Sequence, residues 1–172
     1  SDFDGGNLRN AIAREAKAVF MVANSDEKNM NDMVATFIKE VKYEFRSTEP
    51  TMNITLEKTT TPSFVVDKKS QDNLFNTLYA IPHGVLAMSR EIPNFVETST
   101  NLASIKVKDN NFVITTSQRS SVESALEAAM TRVEACILLT GGKVEHTDGY
   151  PGWSPNTDSE ILKVVVDSYE RL

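Results

Sequence analysis

The sequence is poor in the residues that bind metals or crosslink chains. Among its 172 residues there is one cysteine, Cys136, and there are two histidines, His83 and His146. A single cysteine cannot form an internal disulfide, which suits a reducing cytosol. The sequence contains no HExxH or CxxC spacing, whereas a zinc site needs three or four ligands among which histidine or cysteine is usually prominent. We therefore expect no metal site of this kind in the chain. An all-carboxylate site is the alternative, but nothing in the sequence points to one.

Basic runs and long apolar runs are also absent. Lys and Arg number 18 and Asp and Glu number 24, so the net charge is −6. An acidic chain without a basic run binds phosphates poorly, which argues against nucleic acid as a partner. No stretch approaches the ~20 apolar residues of a membrane helix, and the first residues lack the features of a signal peptide. We expect no membrane partner and a cytoplasmic location.

Apolar periodicity in the first part of the chain predicts strands around one helix. The segment 16–23 is β-branched and aromatic enough for a buried strand. Between Met30 and Phe45 the apolar residues recur at helical spacing, which predicts a helix over about 26–46. Alternation of apolar and polar residues over 52–56 predicts a half-buried strand.

The second part of the chain shows a longer series of elements. Two Ser/Thr-x-x-Glu capping boxes, at 120–123 and 157–160, indicate helix starts. The predicted elements are, in order, a short strand at 64–66, a helix at 70–80, a long loop at 82–100, a hairpin around the turn 109–111, a helix from 120 to the glycines at 141–142, a strand at 144–148 and a last helix from about 158.

A shift of 94 residues superposes the two parts. The strand at 18–22 falls on 112–116, and the helix at 26–46 falls on 120–140. We predict an α+β fold of two tandem ferredoxin-like β-α-β-β-α-β repeats, the first lacking its opening strand and helix. The duplicated domain spans 1–149, with halves of about 1–60 and 61–149, and is followed by a linker and helix at 150–172.

Two polar residues stand where a binding group would be useful. Arg119 ends a strand, and a strand-end arginine can hold a carboxylate through its planar fork. The alternative is a solvated arginine or a surface ion pair. His83 lies in the Pro-His-Gly sequence that ends a helix, so it is either a polar group of a site or a surface histidine.

Three segments together resemble one family, the bacterial aminoacylhistidine dipeptidases, also called Xaa-His dipeptidases. The first, GGNLRNAIAREA at 5–16, is similar to their GGxxRNAIPREA segment, although Ala13 replaces a proline. VETSTNL at 96–102, with QRSS at 118–121, is similar to their VETSxNL and RSS segments. YPGWSPN at 150–156 is similar to their YPGWxPN segment.

The resemblance implies a domain of a larger enzyme. These dipeptidases are similar to carnosinases and have a catalytic domain with two zinc ions, into which a lid or dimerisation domain is inserted. The present chain resembles the insert alone, so the implied partner is its own catalytic domain, and zinc belongs to the parent enzyme. A homodimer is left open. A doubled lid is expected from this family, because it imitates a dimer of single lids.

The resemblance also implies roles for particular residues. Arg119 matches the arginine that reaches the substrate's C-terminal carboxylate, and Asn101 and Asn10 match polar positions near the substrate cleft. The alternative for both asparagines is a hydrogen bond that supports a turn. His83 stays undecided between a substrate-binding and a surface residue. We expect no catalytic residue in this chain.

The implied function is therefore that of a substrate-covering lid in a zinc-dependent dipeptidase that hydrolyses Xaa-His dipeptides. The lid clamps the carboxylate of the histidine-containing dipeptide substrate. The alternative is a stand-alone ferredoxin-like ligand-binding or dimerisation module. On the first interpretation this chain is part of an enzyme, but is inactive alone.

We predict that the isolated chain neither hydrolyses carnosine-like dipeptides nor binds zinc stoichiometrically, because the ligand set is missing. Dipeptide turnover with added zinc, and zinc content after gel filtration, are the measurements. Turnover that a chelator abolishes, that zinc restores and that survives repurification would contradict the prediction.

Overall fold

The computed structural model describes residues 2–153 and 155–171, which contain both helices and strands. The strands are β1 (Phe3–Gly5), β2 (Ala16–Ala18), β3 (Gly84–Met88), β4 (Val96–Lys108) and β5 (Asn111–Ser120). The helices are α1 (Glu27–Glu44), which follows a 3-10 turn at Asn24–Asp26, α2 (Lys68–Ala80), α3 (Glu123–Leu139) and α4 (Glu160–Tyr169). The predicted α+β class is confirmed.

Strand β4 is the centre of the sheet. One of its edges pairs with β5, and the other pairs first with β3 and then with β1, always antiparallel. Strand β2 lies beyond β1. On the shared edge Gly84 is opposite Thr100 and Gly5 is opposite Ile105. Strand β4 is 13 residues long, which gives this edge room for two partners.

A tight turn joins β4 to β5. Asp109 and Asn110 have φ values of 49° and 60°, in the left-handed region that Asp and Asn tolerate better than most residues. Two consecutive positive φ values match the right-handed twist of the two strands. The hairpin predicted around 109–111 is confirmed.

Helices cover one face of this hairpin. Helix α3 packs on β4 and β5, and α2 packs on α3. The buried apolar residues come from these elements and from the end of α2: Leu74, Ile81, Ala103, Ile105, Ala129 and Val133. Thr98 and Thr100 are also buried, each with 3% of its surface exposed. Their hydroxyls bond to Ser120 Oγ at 2.9 Å and to Gln118 Nε2 at 3.0 Å, so both buried hydroxyls are satisfied.

The chain divides into two compact units. The first comprises Ser1–Phe3 and Lys17–Asp67, and the second comprises Asp4–Ala16 and Lys68–Leu172. In the first unit α1 begins one residue after the predicted start and has the predicted apolar stripe, yet it has no buried residue. Met33 and Phe37, on this stripe, each expose more than half of their surface.

Several predicted strands are missing. The segments 52–56, 64–66 and 144–148 lie within the described residues and none of them forms a strand, while the strand predicted at 16–23 is limited to Ala16–Ala18. Alternation of apolar and polar residues favours a strand only where a neighbouring edge accepts its backbone hydrogen bonds. These predictions were wrong because the sequence pattern does not report whether such an edge is present.

The loop predicted at 82–100 is wrong as well, because it contains β3 and the first part of β4. The buried positions there are threonines, so no apolar alternation marks the strand. The second part of the chain therefore has the order α2-β3-β4-β5-α3, and the predicted tandem ferredoxin-like repeats are not confirmed.

Both capping boxes are also wrong. The cap residues are Val122 and Ser159, and neither makes a side-chain cap bond. Ser120 Oγ accepts the N–H of Val122 at 3.0 Å and contacts Thr98, so its hydroxyl joins the helix entry to the sheet.

Gly6 is the point at which the chain after β1 meets β4. Its φ is +65°, and its N–H donates to Glu15 O at 2.9 Å. A Cβ placed on Gly6 would lie 2.0 Å from the carbonyl oxygen of Ala103, which is backbone and cannot move aside easily. Only glycine fits this position, for reasons of both conformation and space.

We predict that Gly6→Ala lowers the free energy of unfolding by at least about 2 kcal/mol, because it adds strain and a backbone clash. Urea unfolding of the chain measures this change. Gly149→Ala is the matched control, since a Cβ there meets nothing within 4 Å, and it should stay within about 0.5 kcal/mol. Equal, small effects of both variants would contradict the close approach.

Candidate functional site

A gap on one edge of β4 brings together three of the four residues predicted to bind substrate, His83, Asn101 and Asn10. Strand β3 pairs with β4 as far as Thr100, and β1 takes over at Ile105. Among the described residues, none pairs in a ladder with 101–104 on this edge. Backbone groups there need partners of another kind.

The imidazole of His83 fills part of this gap. Its Nδ1 accepts the backbone N–H of Leu102 at 2.9 Å. Because Nδ1 accepts, the proton of the neutral ring is on Nε2. His83 itself is exposed, and within the described residues Nε2 has no protein partner. The Nδ1 atom of His83 is thus used in a hydrogen bond within the fold, and its Nε2–H remains as a donor.

The side chain of Asn101 holds the turn that follows Gly6. Its Nδ2 donates to Ala11 O at 2.7 Å and to Arg9 O at 3.3 Å. The turn is closed by a bond from Ala11 N to Leu8 O at 3.2 Å. Asn101 therefore makes the turn-supporting hydrogen bonds that were the alternative to substrate contact. Its Oδ1 is shielded from solvent and has no hydrogen-bond partner among the described residues.

Asn10 lies in this turn, between the two carbonyl groups that Asn101 holds. It is exposed. The neighbouring Arg9 reaches the other way, with Nη1 donating to Thr147 Oγ1 at 3.3 Å. The turn is therefore anchored on both sides of Asn10, while the carboxamide of Asn10 has no hydrogen bond to another described residue.

Arg119 is on β5, opposite Ser99 of β4. Because side chains alternate between faces, Ser99 and Asn101 share one face, and Arg119 and Ser117 lie on that same face. The helix-covered face carries Thr98 and Thr100 instead. Arg119 is exposed, and in the described part of the chain its guanidinium forms no ion pair or hydrogen bond. It does not lie in the hydrophobic core, and the face that it shares with Asn101 is polar.

Two of the three segments that carry the family resemblance, VETSTNL with QRSS and YPGWSPN, meet where β4 begins and β5 ends. The N–H of Ser121 donates to Glu97 O at 3.1 Å. A Cβ on Gly152 would lie 2.3 Å from Ser120 O, so the segment containing Gly152 passes directly over the end of β5. Trp153, by contrast, is 76% exposed. No sequence pattern marks this meeting point, because its contacts are between backbone groups.

A small cavity beside this point is a weak candidate for a ligand site. Its volume is about 170 Å³, and its lining includes Arg90, Glu91, Glu97 and Pro155. Ligand pockets usually have volumes of ~300–1,000 Å³. The face that carries Arg119 and the Asn101 turn is the better candidate site.

Two further searches of the described residues give negative results. They contain no group of three or more His, Cys, Asp or Glu side chains that could hold a metal ion. Within residues 2–153 and 155–171, no helix combines the length and apolar content needed to cross a membrane.

Comparison with known proteins supports the resemblance seen in the sequence. No family model matches the chain. Over 171 residues the chain is 33% identical to a "Cytosol non-specific dipeptidase" from Escherichia coli (strain K12), and this match covers 99% of the chain and 35% of that protein. The chain is a dipeptidase-related domain. It spans about a third of the length of this relative.

A solved structure matches the domain closely. The crystal structure of aminoacylhistidine dipeptidase from Vibrio alginolyticus matches the whole chain with a TM-score of 0.91 and 30% identity, over 35% of that protein. The predicted resemblance to the aminoacylhistidine dipeptidases is confirmed by both comparisons. The roles of Arg119, Asn101, Asn10 and His83 stay predictions, because similarity of sequence and fold does not test them.

We predict that His83→Ala lowers the free energy of unfolding by about 0.5–1.5 kcal/mol, because the N–H of Leu102 loses its acceptor. His83→Asn should recover much of this loss, since its Oδ1 can accept in place of Nδ1. His146→Ala is the control, because the contact of His146 with Glu134 is 3.6 Å long and exposed. Urea unfolding ranks the three variants, and equal losses for alanine and asparagine at position 83 would refute the acceptor role.

Proposed function

We propose that this dipeptidase-related domain is the substrate-covering lid of a zinc-dependent dipeptidase that hydrolyses Xaa-His dipeptides. In this role it clamps the free C-terminal carboxylate of the substrate. The observation that carries the proposal is the guanidinium of Arg119, which is exposed and has no ion pair with a described residue, on the polar sheet face that also carries Asn101.

The chemistry of the guanidinium supports this choice. A carboxylate is bound best by a permanently charged, planar donor that offers two parallel N–H groups. Arg119 carries such a group at the end of a strand that is fixed by its pairing with β4. An arginine already held in an ion pair would have to give up that partner before binding, whereas the guanidinium of Arg119 is ready to bind.

The other predicted residues have supporting roles in this proposal. Asn10, in the turn held by Asn101, offers a free carboxamide to the substrate. The Nε2–H of His83 is a second neutral donor. Closure of the lid would exclude water, and would strengthen each of these hydrogen bonds. A clamp for the free carboxylate next to the scissile bond restricts the substrate to short peptides.

Zinc belongs to another part of the enzyme in this proposal. The described residues of this domain lack the donor set that zinc requires. Zinc supplies the polarisation of the scissile carbonyl and the activation of water in such peptidases, and we derive no step through it here.

The partner that we propose for this domain is its own catalytic domain. Helix α4 supports this, because its apolar side chains face outward: Ile161 is 73% and Val164 is 62% exposed. An amphipathic helix with so much apolar surface in water usually packs against another protein surface. We propose a cytoplasmic location as well, in keeping with the name of the Escherichia coli relative.

The alternative function is a stand-alone ligand-binding or dimerisation module. The same exposed apolar side chains would then contact a second copy of the chain. Sedimentation velocity at several concentrations separates the two proposals, because concentration-dependent dimers of the chain alone favour the module.

We propose further that the domain arose by duplication. With the 94-residue shift, β1 falls on β4, β2 falls on β5 and α1 falls on α3. The sheet supports this, because β2 pairs with β1, β5 pairs with β4, and the two pairs are joined where β1 pairs with β4. Continuing the register of Gly5 opposite Ile105 would bring Leu8 opposite Leu102, which is the pair that the same shift superposes.

We predict that Arg119→Ala in the full-length enzyme lowers kcat/KM for Xaa-His dipeptides. The lost transition-state stabilisation should be about 2–5 kcal/mol, since the variant leaves the substrate carboxylate desolvated and unpaired. Arg119→Lys is the matched variant, because it keeps the charge and loses the fork. Zinc content and Tm should change little.

The decisive measurement compares a dipeptide with its C-terminal amide. Wild type should prefer the free acid, and Arg119→Ala should lose most of that preference. If the mutant keeps the wild-type ratio, Arg119 does not bind the carboxylate, and the alternative of a solvated arginine holds.

A further inference from the structure

We propose that Asn101 is a positioning residue for the substrate site, and that it acts through Asn10. The inference rests on the proposed function, and assigns to Asn101 the task of fixing the turn from Leu8 to Ala11. Asn101 itself would make no contact with the substrate.

The hydrogen bonds of Asn101 carry this inference. Both Nδ2 protons are used, one by Ala11 O at 2.7 Å and the other by Arg9 O at 3.3 Å. These two carbonyl groups flank Asn10 in the chain. The carboxamide of Asn101 has no further donor to offer a substrate carboxylate, so it can influence binding of that group only through the turn.

The rest of the turn is too weakly held to fix itself. Among the described residues the turn has one backbone bond, from Ala11 N to Leu8 O, and its Leu8 side chain is 61% exposed. The bond from Arg9 to Thr147 Oγ1 is exposed and 3.3 Å long, so it adds little. The order of the turn therefore depends on the carboxamide of Asn101.

The position of Asn101 on β4 makes it a rigid reference point. Its strand is paired with β5 on one side, and with β3 up to the preceding residue on the other. Because Asn101 holds the turn, the position of Asn10 is fixed with respect to β4. Arg119 is fixed with respect to the same strand, since β5 pairs with β4. A displacement of about 1 Å in such a group can cost on the order of a hundredfold in rate.

The test is a double-mutant cycle in the full-length enzyme, with kcat/KM for an Xaa-His dipeptide as the readout. Asn101→Ala should lower kcat/KM at least tenfold in the wild-type background, and less than twofold when Asn10 is already alanine. Asn111→Ala is the matched control, because the Nδ2 of Asn111 also holds a turn carbonyl, that of Asp109, at 2.9 Å. That turn is at the far end of the hairpin, so this variant should stay within twofold of wild type.

The outcomes distinguish this inference from the proposed function. Suppose that Asn10→Ala and Arg119→Ala lower kcat/KM. If Asn101→Ala then leaves kcat/KM unchanged, or lowers it as much in the Asn10→Ala background as in wild type, the positioning role is refuted and the lid function stands. If neither Asn10→Ala nor Arg119→Ala has an effect, both are refuted. Should Asn101→Ala fail to fold, as judged by circular dichroism, Asn101→Ser replaces it in the same cycle, and the same two criteria apply.

Discussion

The sharing of one edge of β4 between two strands is the constraint on which the site depends. Strands β3 and β1 cannot both reach the middle of β4, so backbone groups remain open between them. Side chains must then take the place of a ladder. The imidazole of His83 accepts the N–H of Leu102, and the carboxamide of Asn101 binds the carbonyl groups of the turn after β1. Polar side chains gather at this point because the sheet is locally incomplete.

How much of the fold could be predicted depended on how each element is buried. Helices α1, α2 and α3 bring apolar residues to one side at helical spacing, and the sequence located them within a few residues. Strand β4 was shortened in the prediction because its buried positions at Thr98 and Thr100 carry hydroxyl groups. The stretch 52–56 shows the opposite error, a predicted strand that does not form. Its apolar and polar residues alternate well, but in the described part of the chain no strand edge pairs with it. In each case a strand depends on its partners more than on its own residues.

The candidate site shows a similar division. Arg119 could be singled out from the sequence, because a strand-end arginine before a helix is visible locally. The bonds of His83 to Leu102 and of Asn101 to Ala11 join residues 19 and 90 positions apart. No local pattern reports such pairs, and resemblance to a family supplied the residues without their contacts. The structure adds that two of the four candidates, His83 and Asn101, have bonds within the fold itself.

The two hydrogen-bonded side-chain pairs on the helix-covered face of the sheet affect the register of the hairpin. Thr98 with Ser120 and Thr100 with Gln118 match only when β4 and β5 are in the observed register. A slip of one residue would turn Arg119 toward the helices. A slip of two could re-form only one side-chain pair, Thr100 with Ser120 in one direction or Thr98 with Gln118 in the other. Apolar side chains in their place would tolerate the second slip, because dispersion contacts have little direction. Two buried threonines thus give this hairpin a single alignment, and with it a single side of the sheet on which the guanidinium can emerge.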